Sequence, residues 1–103
     1  MKLVTRYGTY NDCYLTVDRY AADKTPCIQL WNTEDGRIAR LTVCLNEKGM
    51  DPNMAFVDTN NLPEALGFIR EYGLGKETGK FAQSGWCIYP LVEFDMDAVR
   101  KYA

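Results

Sequence analysis

Nucleophilic catalysis needs a thiol or hydroxyl with a base in reach, and this chain offers the first without the usual second. It carries Cys13, Cys27, Cys44 and Cys87 but no histidine. Ser84-Gly85 follows Ala82 and Gln83, so the G-x-S-x-G elbow that exposes a catalytic serine is missing. No two cysteines form a C-x-x-C pair, which leaves only an all-cysteine zinc site of unusual spacing, and the expected role of the four is as small apolar residues packed in strands. Asp58, Glu93, Asp95 and Asp97 could act as acids or bases, yet Asp58 stands where a turn or cap residue belongs and the others flank a helix start. The acidic group also lacks the glycine and the spacing of a calcium loop. No catalytic residue, metal or cofactor is assigned.

The run Gly73, Leu74, Gly75, Lys76, Glu77, Thr78, Gly79, Lys80 has the composition of a phosphate-binding loop but not its pattern. Gly73 lies one residue too far from Gly79-Lys80, Phe81 replaces the Ser or Thr, and the segment leaves a helix C-terminus, whose dipole repels anions. As a polar connection from 74 to 85, it is instead a candidate contact surface carrying Lys76, Lys80, Phe81 and Gln83. The second unusual resource is aromatic: Tyr7, Tyr10, Tyr14 and Tyr20 crowd the first twenty residues. Tyr14 alternates with Cys13, Leu15 and Val17, which puts it on the wet side of a strand, where aromatics suit protein interfaces or, beside basic residues, stacked bases.

The elements that would position these residues are legible from pattern. Cys13 to Val17 alternates with period two and starts a sheet. Cys27 to Asn32 is a second strand, Thr33 to Gly36 a turn ending in the Asp-Gly hairpin signal, and Arg37 to Leu45 the returning strand. On it, Ala39, Leu41, Val43 and Leu45 share one face and Ile38, Arg40, Thr42 and Cys44 the other. A polar loop over Asn46 to Asn53 leads to a strand at Ala55 to Val57. A helix follows with Asn61 as N-cap, Glu64 in the capping-box position, Pro63 in the first turn and Gly73 as its stop. Its apolar stripe is Leu62, Ala65, Leu66, Ile69 and Tyr72. Trp86 to Phe94 reads as a last strand buried on both faces, although Pro90 argues for an edge or bulge there. Asp95 to Tyr102 has the charge order of a short terminal helix. The expected fold is α+β: about five strands, mostly antiparallel, with one main helix across them and a short C-terminal helix.

Size and composition set the outer bounds. At 103 residues, with 47% hydrophobic and 25% charged, the chain reads as one domain able to bury a core. Its net charge of −2 has no basic cluster beyond the pairs Arg37 and Arg40 or Lys76 and Lys80, which counts against nucleic acid as a partner. No signal-peptide core or run of membrane-spanning length is visible, so the expected location is the cytoplasm, with the cysteines reduced and no membrane partner.

Several segments together carry a resemblance: the tyrosine-rich N-terminal strand, Ala55 to Pro63 before the helix, Gly73-Leu74-Gly75 after it, and Ser84-Gly85-Trp86 leading to Tyr89 to Phe94. The combination resembles small bacterial proteins of unknown function encoded in phages, plasmids and conjugative elements of gut Firmicutes. That resemblance implies a small cytosolic accessory protein and brings no catalytic residues with it. The expected function is a non-enzymatic module that binds an unidentified protein, or a second copy of itself, through the Tyr14 face and the 75–85 segment. The alternatives are a single-stranded nucleic-acid binder stacking bases on tyrosines, and an enzyme using a carboxylate such as Asp58 in a concave pocket.

Overall fold

The computed structural model describes all residues from 1 to 103. The sheet-forming part starts earlier than Cys13: β1 (Leu3–Thr5) and β2 (Gly8–Tyr10) form a hairpin of three-residue strands, too short for alternation to be visible in sequence. β3 (Tyr14–Arg19), β4 (Pro26–Asn32) and β5 (Gly36–Arg40) follow as an antiparallel sheet in the order β3-β4-β5. The alternation is the expected one, with Cys13 and Leu15 buried and Tyr14 and Thr16 exposed. The Asp-Gly hairpin also forms. Asn32 Oδ1 accepts the Asp35 N–H at 2.6 Å, and Gly36 takes the left-handed conformation (φ 75°) that closes a three-residue turn.

Arg37 to Leu45 is not one strand. The chain leaves the first sheet at Leu41 and re-forms as β6 (Thr42–Val43), which pairs with β7 (Met54–Val57) in a second sheet. The Leu41 N–H donates to Ile28 O at 2.9 Å and its carbonyl accepts from Asp58 N–H at 2.9 Å, so this residue is bonded to both sheets. The change of sheet also undoes the expected faces: Thr42 is fully buried, and its hydroxyl accepts the Ile28 N–H at 3.0 Å. The polar segment 46–53 is a loop, clipped to the first sheet by the Arg19 guanidinium, which donates to Pro52 O.

α1 (Ala65–Glu71) starts later and by other means than a capping box. Glu64 is its N-cap and makes no side-chain cap bond. Asn61 is a donor rather than a cap: its N–H and its Nδ2 both bond to the Asp58 carboxylate, at 3.2 and 2.9 Å, which holds a turn ahead of the helix. The C-terminus behaves as expected. Gly73 (φ 63°) lets Leu74 N–H reach Ile69 O at 2.9 Å and its own N–H reach Arg70 O at 3.3 Å, a Schellman closure. Within α1, Gly67 is exposed, and a Cβ there would meet no atom within 4 Å. Gly67→Ala is therefore expected to raise stability by about 1 kcal/mol, through helix propensity alone; a lowered melting temperature would show that the site is not open.

The largest departure lies beyond the helix. Residues 75–84 are not a loop but β8 (Gly75–Ser84), the longest strand, paired antiparallel with β9 (Cys87–Phe94) in a sheet ordered β6-β7-β9-β8. Its sequence hides this because both faces of its outer half are wet and a bulge between Glu77 and Phe81 breaks the alternation. Nor is β9 buried throughout. Pro90, Leu91, Val92 and Phe94 are buried, but Ile88 is 61% exposed and Trp86 fully exposed. Pro90 sits just past the residues that β7 covers and opposite the end of the bulge, a tolerated place for a residue without an N–H. α2 (Met96–Lys101) ends the fold, N-capped by Asp95, whose carboxylate accepts the Ala98 N–H at 3.1 Å.

The result is an α+β fold of mostly short antiparallel strands in three sheets with two helices, where a single sheet of about five strands was expected. A cluster of 17 buried residues joins both larger sheets to α1 and α2, with Ile28, Leu30, Leu41, Val57, Ile69, Val92 and Val99 wholly buried or nearly so. No helix is long and apolar enough to cross a membrane.

Candidate functional site

Two exposed surfaces collect the residues of interest. The first is the outer face of β3-β4-β5. Directly paired residues of antiparallel strands share a face, so Tyr14 lies beside Trp31, Thr16 beside Gln29, and Arg40 and Arg37 flank Gln29 and Trp31 on the other side. Tyr14 is 37% exposed. The Trp31 indole N–H donates to the Thr16 hydroxyl at 2.8 Å and the Arg37 guanidinium to Gln29 Oε1 at 3.2 Å, which ties four side chains of this platform in pairs.

The second surface is the distal half of the β8–β9 hairpin. Pairing sets Phe81 opposite Pro90 and Gln83 opposite Ile88, while β9 continues to Val92 and Phe94 in the core. By the period of two, Phe81, Gln83 and Ile88 therefore extend the core-facing side of the sheet beyond the body of the protein. β7 pairs β9 only at residues 91–93, so this outer half is a two-stranded arm. Phe81 is 64% and Ile88 61% exposed, and Trp86 lies at the tip in a two-residue turn opened by Gly85 (φ 60°).

Of the expected contact residues, the structure brings Phe81 and Gln83 together on one side of the arm. Lys76 pairs with Glu93 and points to the opposite side, near the arm's root. Lys80 lies in the bulge, where its N–H donates to the Thr78 hydroxyl at 3.1 Å; that hydroxyl donates in turn to Leu91 O at 2.9 Å. Tyr14 belongs to the other sheet. Trp86 and Ile88 were missed as surface residues because their run reads as a buried strand. The visible cue was Ser84-Gly85-Trp86-Cys87, a glycine-first turn between two strand-like halves. Trp31 was missed because one strand of alternating pattern does not reveal which face is covered.

Several of the groups that chemistry would use, Cys13, Asp23 and Asp58, make structural hydrogen bonds. The cysteines are free thiols. Burial pushes the Cys13 thiol up, and it donates to Tyr10 O at 3.3 Å; burial likewise pushes Cys44 up. A raised thiol is a poor nucleophile at neutral pH. Both carboxylate oxygens of Asp58, itself buried, are occupied by Asn61 in a cleft of about 360 Å³ that Arg37, Arg40 and Leu62 also line. Asp23 is held below its ordinary range: burial opposes ionisation, but the hydroxyl and N–H of Thr25, at 2.6 and 3.0 Å, outweigh it.

Tyr20 joins this turn to the second sheet through a 2.8 Å bond from its hydroxyl to Thr42 O, and burial pushes its pKa up to about 12. A raised tyrosine pKa means that the folded state holds the proton after the unfolded chain has lost it. The corresponding stability is complete below pH 10 and is lost as the pH rises toward 12. Spectroscopic titration of phenolate absorbance should show that the latest-titrating tyrosine of the folded protein, later than Tyr89, which is also raised, is removed by Tyr20→Phe; unchanged titration in that variant would contradict the assignment.

Residues 14–103 match a family model described as "Domain of unknown function (DUF4313)", leaving β1 and β2 outside the match. No curated protein and no solved structure matches the chain.

Proposed function

The chain belongs to the DUF4313 family of domains of unknown function, and from that premise we propose that it is a non-enzymatic module that binds another protein, with the β8–β9 arm as its main contact and the Tyr14–Trp31 platform as a second. A cytoplasmic setting in a mobile genetic element belongs to the same reading and rests on the sequence resemblance. One observation carries the proposal: Phe81, Trp86 and Ile88 are large apolar side chains exposed together on a ribbon that no other element covers. Large apolar side chains exposed on one element mark interaction sites, and tryptophan is enriched among the residues that dominate binding energy. Burying each of the three contributes about 1.5–3 kcal/mol.

The test is capture from a lysate of the source organism by the immobilised chain, beside a Phe81→Ser, Trp86→Ser, Ile88→Ser variant. Exposed substitutions change stability by only about 0.5 kcal/mol each, so the triple variant should lose at most about 1.5 kcal/mol and stay folded at the assay temperature while its captured partner drops at least about tenfold. Equal capture by both chains, or capture of nothing by the wild type, would contradict the proposal. Sedimentation of the isolated chain reports whether a second copy fills the arm's site instead.

A further inference from the structure

A groove runs along the outer edge of β5, on the other sheet from the arm. β5 pairs only with β4, and no hydrogen bond outside that ladder reaches the main chain of residues 36–40. The opposite edge of the same sheet is covered at its start, where Leu15 N–H donates to Tyr102 O and, just before β3, Cys13 N–H to Met1 O, both at 2.8 Å. The open edge faces the 58–64 segment and the tip of the β1–β2 hairpin across two adjoining recesses of about 360 and 190 Å³, which share Ile38, Ala39, Asn61 and Leu62.

The groove carries a net positive charge. Arg37 and Arg40 border one recess and Arg6 the other, and none of the three is in an ion pair; the two ion pairs of the protein are Arg70–Glu77 and Arg100–Asp97. The walls also carry two carboxylates, Asp58, which accepts from Asn61 and keeps its charge, and Glu64, so three guanidiniums stand against two carboxylates. Two residues three apart in a regular strand would lie on opposite faces. Here the bulge at Ile38 gives Arg37 and Arg40 the partners Trp31 and Gln29, which share one face, so both guanidiniums stand on the same side of the edge.

We infer that this groove takes an extended acidic segment of a partner protein, added as a strand to β5. A strand laid there alternates its side chains: one set falls beside Arg37 and Arg40 and must be acidic, the other falls over Ala39 and Leu62 and must be apolar. Guanidinium forks suit carboxylates, and the free main-chain groups of β5 supply the ladder. The inference rests on the protein-binding reading but uses a surface separate from the arm, so each can fail alone.

The probe is a peptide of about ten residues alternating glutamate and valine, titrated into the isotopically labelled full chain. Its lysine–valine counterpart and an oligothymidylate of similar length are run in parallel. The expected result is amide shifts confined to residues 36–40 and 58–62, new exchange protection in β5, and binding that weakens with salt. Arg37→Gln with Arg40→Gln should weaken it at least about tenfold, with changes to the unliganded spectrum confined to β5 and the paired residues Gln29 to Trp31, while the Phe81, Trp86, Ile88 variant should bind as the wild type. Equal binding of the lysine–valine peptide, binding of the oligonucleotide in preference to the peptide, shifts on β8 instead of β5, or no shift at millimolar peptide would each overturn it.

Discussion

Leu41→Ala is expected to cost about 2–5 kcal/mol of folding free energy, among the largest losses available to one side chain here. Leu41 is wholly buried and belongs to the core cluster, so truncation removes its apolar contacts and leaves a cavity lined by both sheets. Its main chain cannot move to fill the space, because its N–H is bonded to Ile28 O in the first sheet and its carbonyl to Asp58 N–H beside the second. A domain of this size is stabilised by roughly 5–15 kcal/mol in total. At about 4–8 °C per kcal/mol, the melting temperature should fall by at least about 8 °C in a thermal scan. A fall of a degree or two would mean that the two sheets do not meet at this residue.

Gly75→Ala is the second, and its loss comes from contact rather than from a cavity. A Cβ on Gly75 would lie 2.7 Å from Glu93 O, 2.9 Å from Val92 Cγ1 and 3.1 Å from Phe94 Cα. Two of those atoms are main chain of β9, the strand held by β7 on one side and β8 on the other, so it has little freedom to yield. The strand that moves is β8, at the root of the arm. Overpacking of this kind costs about 1–3 kcal/mol, and amide exchange should quicken at residues 75–78 before the rest of the sheet. Gly79→Ala is the contrast: at φ 80° with no atom within 4 Å of its Cβ, it should cost about 1–2 kcal/mol from backbone conformation alone, without opening the root. Equal exchange in the two variants would contradict the close approach at Gly75.

The parts of the fold that were legible in the sequence are those where one face is wet and the other dry. Cys13 to Val17 alternates because β3 has water on one side only, and Asp35-Gly36 is readable because the turn demands a residue that tolerates positive φ. The break at Leu41 was not legible, since the apolar run continues through it and only the hydrogen bonds change partner. β8 was unreadable for the opposite reason. A strand that leaves the body of the protein has no dry face to impose alternation, and its bulge at 78–80 shifts whatever pattern exists. The contact residues Phe81 and Gln83 read in sequence as parts of a loop yet share one side of a strand, while Trp86 and Ile88 lie in an apolar run whose pattern is that of a buried strand. Asp58 shows the reverse case: its place at a strand end was legible, but its bond to Asn61 inverted the expected cap.

The arm and the β5 groove divide the proposed binding between apolar contact and charge. Phe81, Trp86 and Ile88 offer buried area to a partner, whereas Arg37 and Arg40 offer selectivity for acidic segments. Docking through the arm can be read out by photo-crosslinking in living cells of the source organism. Benzoylphenylalanine in place of Trp86 should yield one discrete adduct with a second protein on irradiation. The same group in place of the exposed residues Lys48 and Asp97 should yield none. Absence of an adduct at position 86, or an equal adduct at all three positions, would contradict the assignment of the arm as a docking surface.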